Sequence, residues 1–221
     1  MKLNVTFSQK DMSFHPAFDT VLTIDTGDAR VQSLLEGAMS GTYENSEITY
    51  LRMGAFAQCK NITHIELPNC EEFGMTRQFY ECENITELCL PKLTKIEDAT
   101  YSFHKMKRVK RISLPELTTI IAGLSGTFWD CDALECVEMP KLGGTTIQSY
   151  TFRNCKNLHT LVLGGDSVNP LANTNAFYNA GSLPGVMLSV YVPDHLVDSY
   201  KTATNWSAMA NKIKPISEMG G

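Results

Sequence analysis

The sequence predicts a repeat solenoid, an α/β coil of mainly short parallel strands closed by a C-terminal helical cap. Three observations predict it. A phenylalanine recurs at positions 56, 79, 103, 128, 152 and 177, spaced 23, 24, 25, 24 and 25 residues apart. Each phenylalanine opens the same apolar template. Short strand-like apolar runs ended by proline recur with it.

The first copy has Phe56, Cys59, Ile62, Ile65, Leu67 and Pro68. Phe79, Cys82, Ile85, Leu88, Leu90 and Pro91 repeat it. The third copy has Phe103, Met106, Val109, Ile112, Leu114 and Pro115, and the fourth Phe128, Cys131, Leu134, Val137, Met139 and Pro140. The fifth has Phe152, Cys155, Leu158, Leu161 and Leu163, with Gly164 in place of proline. A sixth, degenerate copy starts at Phe177 and keeps Leu183, Val186 and Leu188. The last two apolar residues of each template fall on one face of a short strand, because side chains alternate. Proline then ends the ladder for want of an amide donor. Four large apolar side chains cannot offset the entropy of ordering one copy, so the copies must stack.

The ends read as caps. Residues 31–55 form an N-terminal cap or incomplete repeat, with Tyr50 to Phe56 as the rear half of a preceding coil. Residues 56–192 hold the six repeats and 193–221 the C-terminal cap. Pro193 can sit in the first turn of a helix whose Leu196, Val197 and Tyr200 share a face. A second short helix starting near Asn205 would carry Trp206, Met209 and Ile213 over the last coil. Residues 1–30 lie outside the template. Leu3, Val5 and Phe7 alternate there as a short strand, either packed on the first coil or free to dock on another chain.

The template F-x-x-C-x-x-L-x-x-L-x-L-P resembles the leucine-rich repeats of the BspA-like family, over residues 45–193. The resemblance implies a right-handed coil and a non-enzymatic interaction or adhesion module. It implies two settings, a phage or prophage tail or baseplate protein contacting the host or mucosal surface, and a bacterial cell-surface adhesin module. In the first setting residues 1–30 would dock on other tail or baseplate proteins.

Composition narrows the classes. The 221 residues are 43% hydrophobic and 19% charged, with net charge −5. That balance excludes disorder, and an acidic chain argues against a nucleic-acid partner. No apolar run is long enough to insert in a membrane. The start, Met1 to Ser8, lacks a continuous apolar segment, so no secretory leader is read there. Seven cysteines is an odd number. Cys59, Cys82, Cys131 and Cys155 share one inward position, where they act as small buried hydrophobes. The alternative is a disulfide between adjacent coils, Cys59 to Cys82 or Cys131 to Cys155. Cys89 and Cys136 fall on outward strand positions.

Two faces are candidates for binding another protein or a surface glycan. The outward strand positions carry His64, Glu66, Glu87, Lys110, Arg111, Glu135 and His159, with Val162 on the fifth coil; a solvated sheet face is the plainer reading. A stripe one residue after each phenylalanine carries Tyr80, His104, Trp129, Arg153 and Tyr178. Stacked at coil spacing, these make an aromatic ladder with one arginine able to lie on a ring; rings that merely cover the coil edge are the plainer reading. Lys105, Lys107, Arg108, Lys110 and Arg111 make one basic coil between acidic ones. Asn61, Asn84 and Asn157 share a turn position, where asparagine is favoured for its backbone tolerance, and are read as turn residues more than glycosylation sites. No catalytic, metal or cofactor set is read. His64 and His159 share a face but stand four coils, about 19 Å, apart.

Overall fold

The computed structural model describes residues 41–60 and 62–220. Residues 1–40, with the proposed docking strand and part of the N-terminal cap, lie outside the described residues, as does Asn61. Among the described residues all strand pairings are parallel, and each strand meets only its counterparts in neighbouring coils. On one side β1 (Gly41–Glu44), β3 (Ile62–Glu66) and β5 (Glu87–Cys89) form a sheet. It is followed by β7 (Arg111–Ser113), β9 (Cys136–Met139), β10 (Thr160–Leu163), β11 (Ser189–Val192) and β12 (Ile213–Pro215). A second side carries β2 (Tyr50–Leu51), β4 (Glu72–Phe73), β6 (Lys95–Ile96) and β8 (Thr119–Ile120), extended by single bridges from Leu124 to Ile147 to Leu171. The first coil is fuller than the sequence suggested. Residues 41–55 supply both of its strands, and Tyr43 pairs in register with Ile65.

The repeat phenylalanines form the axis of the core. Successive ring centroids from Phe56 to Phe177 are 5.3, 5.8, 5.2, 5.2 and 5.2 Å apart, with interplanar angles of 19° or less. Tyr43 meets Phe56 edge-on at 5.4 Å, and Trp206 closes the C-terminal end of the ladder, 5.7 Å from Phe177. Such ring contacts add to the area that each phenylalanine buries.

Around each ring the backbone is tightly wound. The residue two after every repeat phenylalanine has positive φ: Gln58, Glu81, Lys105, Asp130, Asn154 and Asn179. The residue two before does too at Gly54, Arg77, Tyr101, Gly126 and Tyr150. A non-glycine residue in this region costs about 1–2 kcal/mol, less for Asn or Asp. The winding aims amides at the next coil. Phe79 and Glu81 donate to Ser102 and His104 carbonyls, and Phe103 and Lys105 to those of Thr127 and Trp129, all at 2.8–2.9 Å. The same pattern recurs at Phe128 and Asp130.

The recurring cysteine is a hydrogen-bond donor as well as a small apolar group. Cys82, Cys131 and Cys155 Sγ donate to the carbonyls of Phe56, Phe103 and Phe128, at 2.8, 2.9 and 3.0 Å. Burial raises the Cys82 and Cys155 thiols well above their ordinary range, which keeps the S–H donor in place. All seven cysteines are free thiols, so the disulfide alternative is not realised. Alkylation in denaturant without reductant should therefore add seven labels. In the native state only half-exposed Cys89 should react quickly, because thiolate character and access set the rate. A mass two labels short of seven would reveal a bond the account denies.

Three expectations need correction. In the sixth copy, Val190 pairs with Leu161, so Leu188, Val190 and Val192 are the buried residues; Leu183 is 39% exposed and Val186 only half-buried. The turn there is longer than in the fifth copy and displaces the template. Ile213 is buried as part of strand β12, not of a helix. Cys136 and Val162 are buried at 8% and 3% exposure in spite of their outward positions. Cys136 lies between Arg111 and Thr160, and the Arg111 side chain runs diagonally from beside it to Glu138. Gly164 is explained by contact: a Cβ there would lie 1.5 Å from the Pro140 carbonyl oxygen, so no proline fits.

The cap folds as expected in outline. Pro193 precedes a 3-10 turn, Asp194–Leu196, and a short helix α1 (Val197–Thr202). A 3-10 segment, Trp206–Lys212, follows. Tyr200 and Trp206 are fully buried and meet at Asn169. Asn169 Nδ2 donates to Tyr200 Oη (2.9 Å) and the Leu142 carbonyl (3.0 Å), while its own carbonyl accepts Trp206 Nε1 at 2.7 Å. Among the described residues no helix is long and apolar enough to cross a membrane.

Candidate functional site

The two candidate faces differ in what they leave available. On the strand face the charges meet one another across coils. His64 Nδ1 lies 2.7 Å from Glu87 Oε2, and its Nε2 3.9 Å from Glu66 Oε2. Lys110 pairs with Glu135 at 2.9 Å, and Arg111 holds both oxygens of Glu138 at 2.6 Å. His159 Nδ1 sits 2.9 Å from Thr160 Oγ1. The basic coil is neutralised in the same way, with Lys105 on Glu81 at 2.8 Å and Lys107 on Glu83 at 3.5 Å. Lys105 holds the Glu81 carboxyl down to about 2. Exposed pairs of this kind contribute about 0–1 kcal/mol each, and their donors are already engaged.

Of the turn asparagines, Asn61 lies outside the described residues. Asn84 and Asn157 Nδ2 each donate at 2.6 Å to the preceding coil, to the Lys60 and Asp132 carbonyls.

The aromatic edge is more extensive than the predicted stripe. Tyr80 and His104 stack at 5.1 Å, and Trp129 meets His104 edge-on at 5.3 Å. A second row interleaves with them. Tyr101 lies 5.4 Å from His104 and 6.1 Å from Trp129, and Tyr150 lies 5.4 Å from Trp129. Arg77 stands over Tyr80 and Tyr101 at 5.5 and 5.8 Å. Arg153 sits among Tyr178, Tyr150 and Trp129 at 4.7, 5.2 and 5.9 Å. Sequence reasoning missed Arg77, Tyr101 and Tyr150. They occupy the left-handed position two before each phenylalanine, and the aligned glycines, Gly54 and Gly126, were the available signal. Gly126 leaves room for its neighbour, since a Cβ there would lie 2.5 Å from the Tyr101 ring.

This edge carries two buried polar atoms without a partner, His104 Nδ1 and Trp129 Nε1. Burial, with Lys105 as a lesser cause, lowers the His104 pKa below its ordinary 6.5. Asp130 and Glu81 act the other way and do not prevail. The unfolded chain therefore takes the proton first as pH falls. Stability that is complete above 6.5 should decline below it, until the folded-state value is reached. His104→Phe, which keeps the stacking, should lose less melting temperature between pH 7.5 and 5.0 than the parent. Equal losses would refute a neutral, buried His104.

A third feature is a groove of about 370 Å³ beside β8, between Thr118–Gly123 and Gly143–Gln148. It lies where the second sheet thins to single bridges, and threonines and backbone form much of its lining. Among the described residues no cluster of His, Cys, Asp and Glu could hold a metal ion.

Stacked coils with two parallel ladders, a ring core and a C-terminal cap define a leucine-rich repeat solenoid. The sequence matches the BspA type Leucine rich repeat region in six copies, over residues 40–159 and 75–194, and the chain belongs to that family. Among solved structures it is similar to a leucine-rich repeat protein of T. pallidum, at 21% identity and TM-score 0.42 over 62% of this chain and 72% of that one. A leucine-rich cell surface protein from Faecalibacterium prausnitzii A2-165 is similar at 18% identity and TM-score 0.46, over 66% of this chain. The match spans 36% of the Faecalibacterium chain. No curated protein matches the sequence.

Proposed function

We propose that the chain is a non-enzymatic adhesion module of a bacterial cell surface, and that it holds its ligand on the aromatic edge. The observation that carries this reading is the interleaved double row from Arg77 to Tyr178. It presents the exposed or half-exposed rings of Tyr80, Tyr101, Trp129, Tyr150 and Tyr178 and two stacked guanidiniums on one side of five coils. Rings of this kind supply contact area at low conformational cost. The strand face, whose His64, Glu66, Glu87, Lys110, Arg111, Glu135 and His159 are mostly engaged with one another or a neighbouring residue, is the lesser candidate. Family membership supports a surface setting. A virion tail or baseplate role has no support in the comparisons, and residues 1–30, which it would use, lie outside the described residues.

The test is to array glycans and peptides on the purified protein and repeat the best binders with Trp129→Ala. Binding should fall at least tenfold, as for a central aromatic anchor. Full retention by a folded variant would remove the aromatic edge as the binding face.

A further inference from the structure

We infer that the aromatic edge takes an acidic oligosaccharide, with Arg77 and Arg153 as its two anion receptors. This rests on the reading of that edge as the ligand face and specifies the ligand's chemistry.

The two arginines are used differently from the cations that form ion pairs between coils. Lys60, Lys95, Lys105, Lys107, Lys110, Arg111 and Lys141 each meet a glutamate on a neighbouring coil, at 2.5–3.8 Å. Neither the Arg77 nor the Arg153 guanidinium has a carboxylate or carbonyl partner among the described residues. The carboxylates closest in the repeat are already taken. Glu81 holds Lys105 Nζ at 2.8 Å, and Asp130 accepts Asn154 Nδ2 at 2.8 Å. What surrounds the two guanidiniums is aromatic: Tyr80 and Tyr101 at Arg77, and Tyr178, Tyr150 and Trp129 at Arg153.

A guanidinium lying on a ring uses its π face. Its N–H donors lie in its own plane and remain free for a planar or tetrahedral anion. A carboxylate or sulfate bound there is held by charge-assisted bonds. Arg77 belongs to the coil of Phe79 and Arg153 to that of Phe152, three coils on. At about 4.8 Å per coil the receptors stand about 15 Å apart, with half-exposed ring edges between them. An oligosaccharide of a few units, with acidic groups at intervals and C–H faces between, fits that alternation.

The backbone argues against an extended peptide. Amides along this edge are consumed within the solenoid. Tyr80, His104, Trp129 and Arg153 donate to carbonyls three residues back, and the phenylalanines beside them donate to the next coil. A peptide strand would find no ladder to join, whereas a sugar is recognised through side chains. The chain's net charge of −5 also disfavours polyanions elsewhere on its surface.

The experiment measures binding of four probes to the folded full chain: an oligogalacturonate hexamer, a heparin-derived hexasaccharide, maltohexaose and hexaglutamate. The parent should bind at least one acidic sugar, more weakly as salt rises, and should bind it at least tenfold better than maltohexaose or hexaglutamate. Arg77→Ala and Arg153→Ala should each lose roughly tenfold or more. Arg153→Lys should recover only part, since it keeps charge without the fork. Unchanged acidic-sugar binding in both alanine variants overturns the proposal, as does loss in Lys107→Ala/Arg108→Ala instead. Preference for hexaglutamate overturns it in favour of a peptide ligand. If Trp129→Ala abolishes binding of some neutral ligand while the arginine variants bind normally, the acidic assignment fails and the aromatic edge stands. If neither Trp129→Ala nor the arginine variants weaken binding of any ligand, both fail.

Discussion

Phe128→Ala should destabilise the chain by about 3–5 kcal/mol, the range for deleting a buried aromatic ring. Phe128 is fully buried and stacks 5.2 Å from Phe103 on one side and 5.2 Å from Phe152 on the other. Its loss opens a gap in the middle of the ladder, where both half-stacks lose a partner. Coils of a solenoid are stabilised by their nearest neighbours, so a central gap weakens coupling between the halves as well as local packing. A melting temperature lower by about 10 °C is the matching thermal readout. Met187→Ala, at a side chain 81% exposed, should stay within about 0.5 kcal/mol of the parent. Equal, small effects for the two variants would mean that the rings do not form the core.

The second large effect is at the C-terminal cover. Trp206→Ala should cost about 3–5 kcal/mol, because the indole is fully buried against Phe177 and Tyr200. Trp206→Phe separates packing from hydrogen bonding. It keeps a ring but leaves the Asn169 carbonyl without its 2.7 Å donor, a loss of about 1–3 kcal/mol. Tyr200→Phe should fall in the same range, since Tyr200 Oη accepts from both the backbone N–H and Nδ2 of Asn169. Urea unfolding of the three variants checks the order. A Trp206→Phe variant as stable as the parent would show that the polar knot at Asn169 does not hold the cap.

The core was legible because its signal is a period. One ring per coil at nearly constant spacing leaves little choice but to stack, and the cysteine, the strand residues and the proline follow in register. The sixth coil was misread where the period failed. Its turn runs through Pro184 and Gly185 before the strand, so the template fell on Leu183 and Val186 instead of Val190 and Val192. Alternation put Cys136 and Val162 outside, since it reports where a side chain starts and not what its neighbours lay across it. One row of the aromatic edge was legible, Tyr80, His104, Trp129, Arg153 and Tyr178. The second row depends on left-handed turns at Arg77, Tyr101 and Tyr150, residue types with no preference for that conformation. Their geometry is imposed by the cross-coil amide bonds, a tertiary cause that a local pattern does not carry. The thiol-to-carbonyl bonds were hidden for the same reason, because cysteine at a buried position reads first as a small apolar group.

The most direct test is native-state hydrogen–deuterium exchange at the amides of Phe79, Glu81, Phe103, Lys105, Phe128 and Asp130. None lies in a regular strand, so a chain with isolated strands and loose turns would exchange them quickly. The stacked-coil account has each of them donating to the next coil and predicts slow exchange, released together in one cooperative opening. Rapid, independent exchange at these six amides would contradict it.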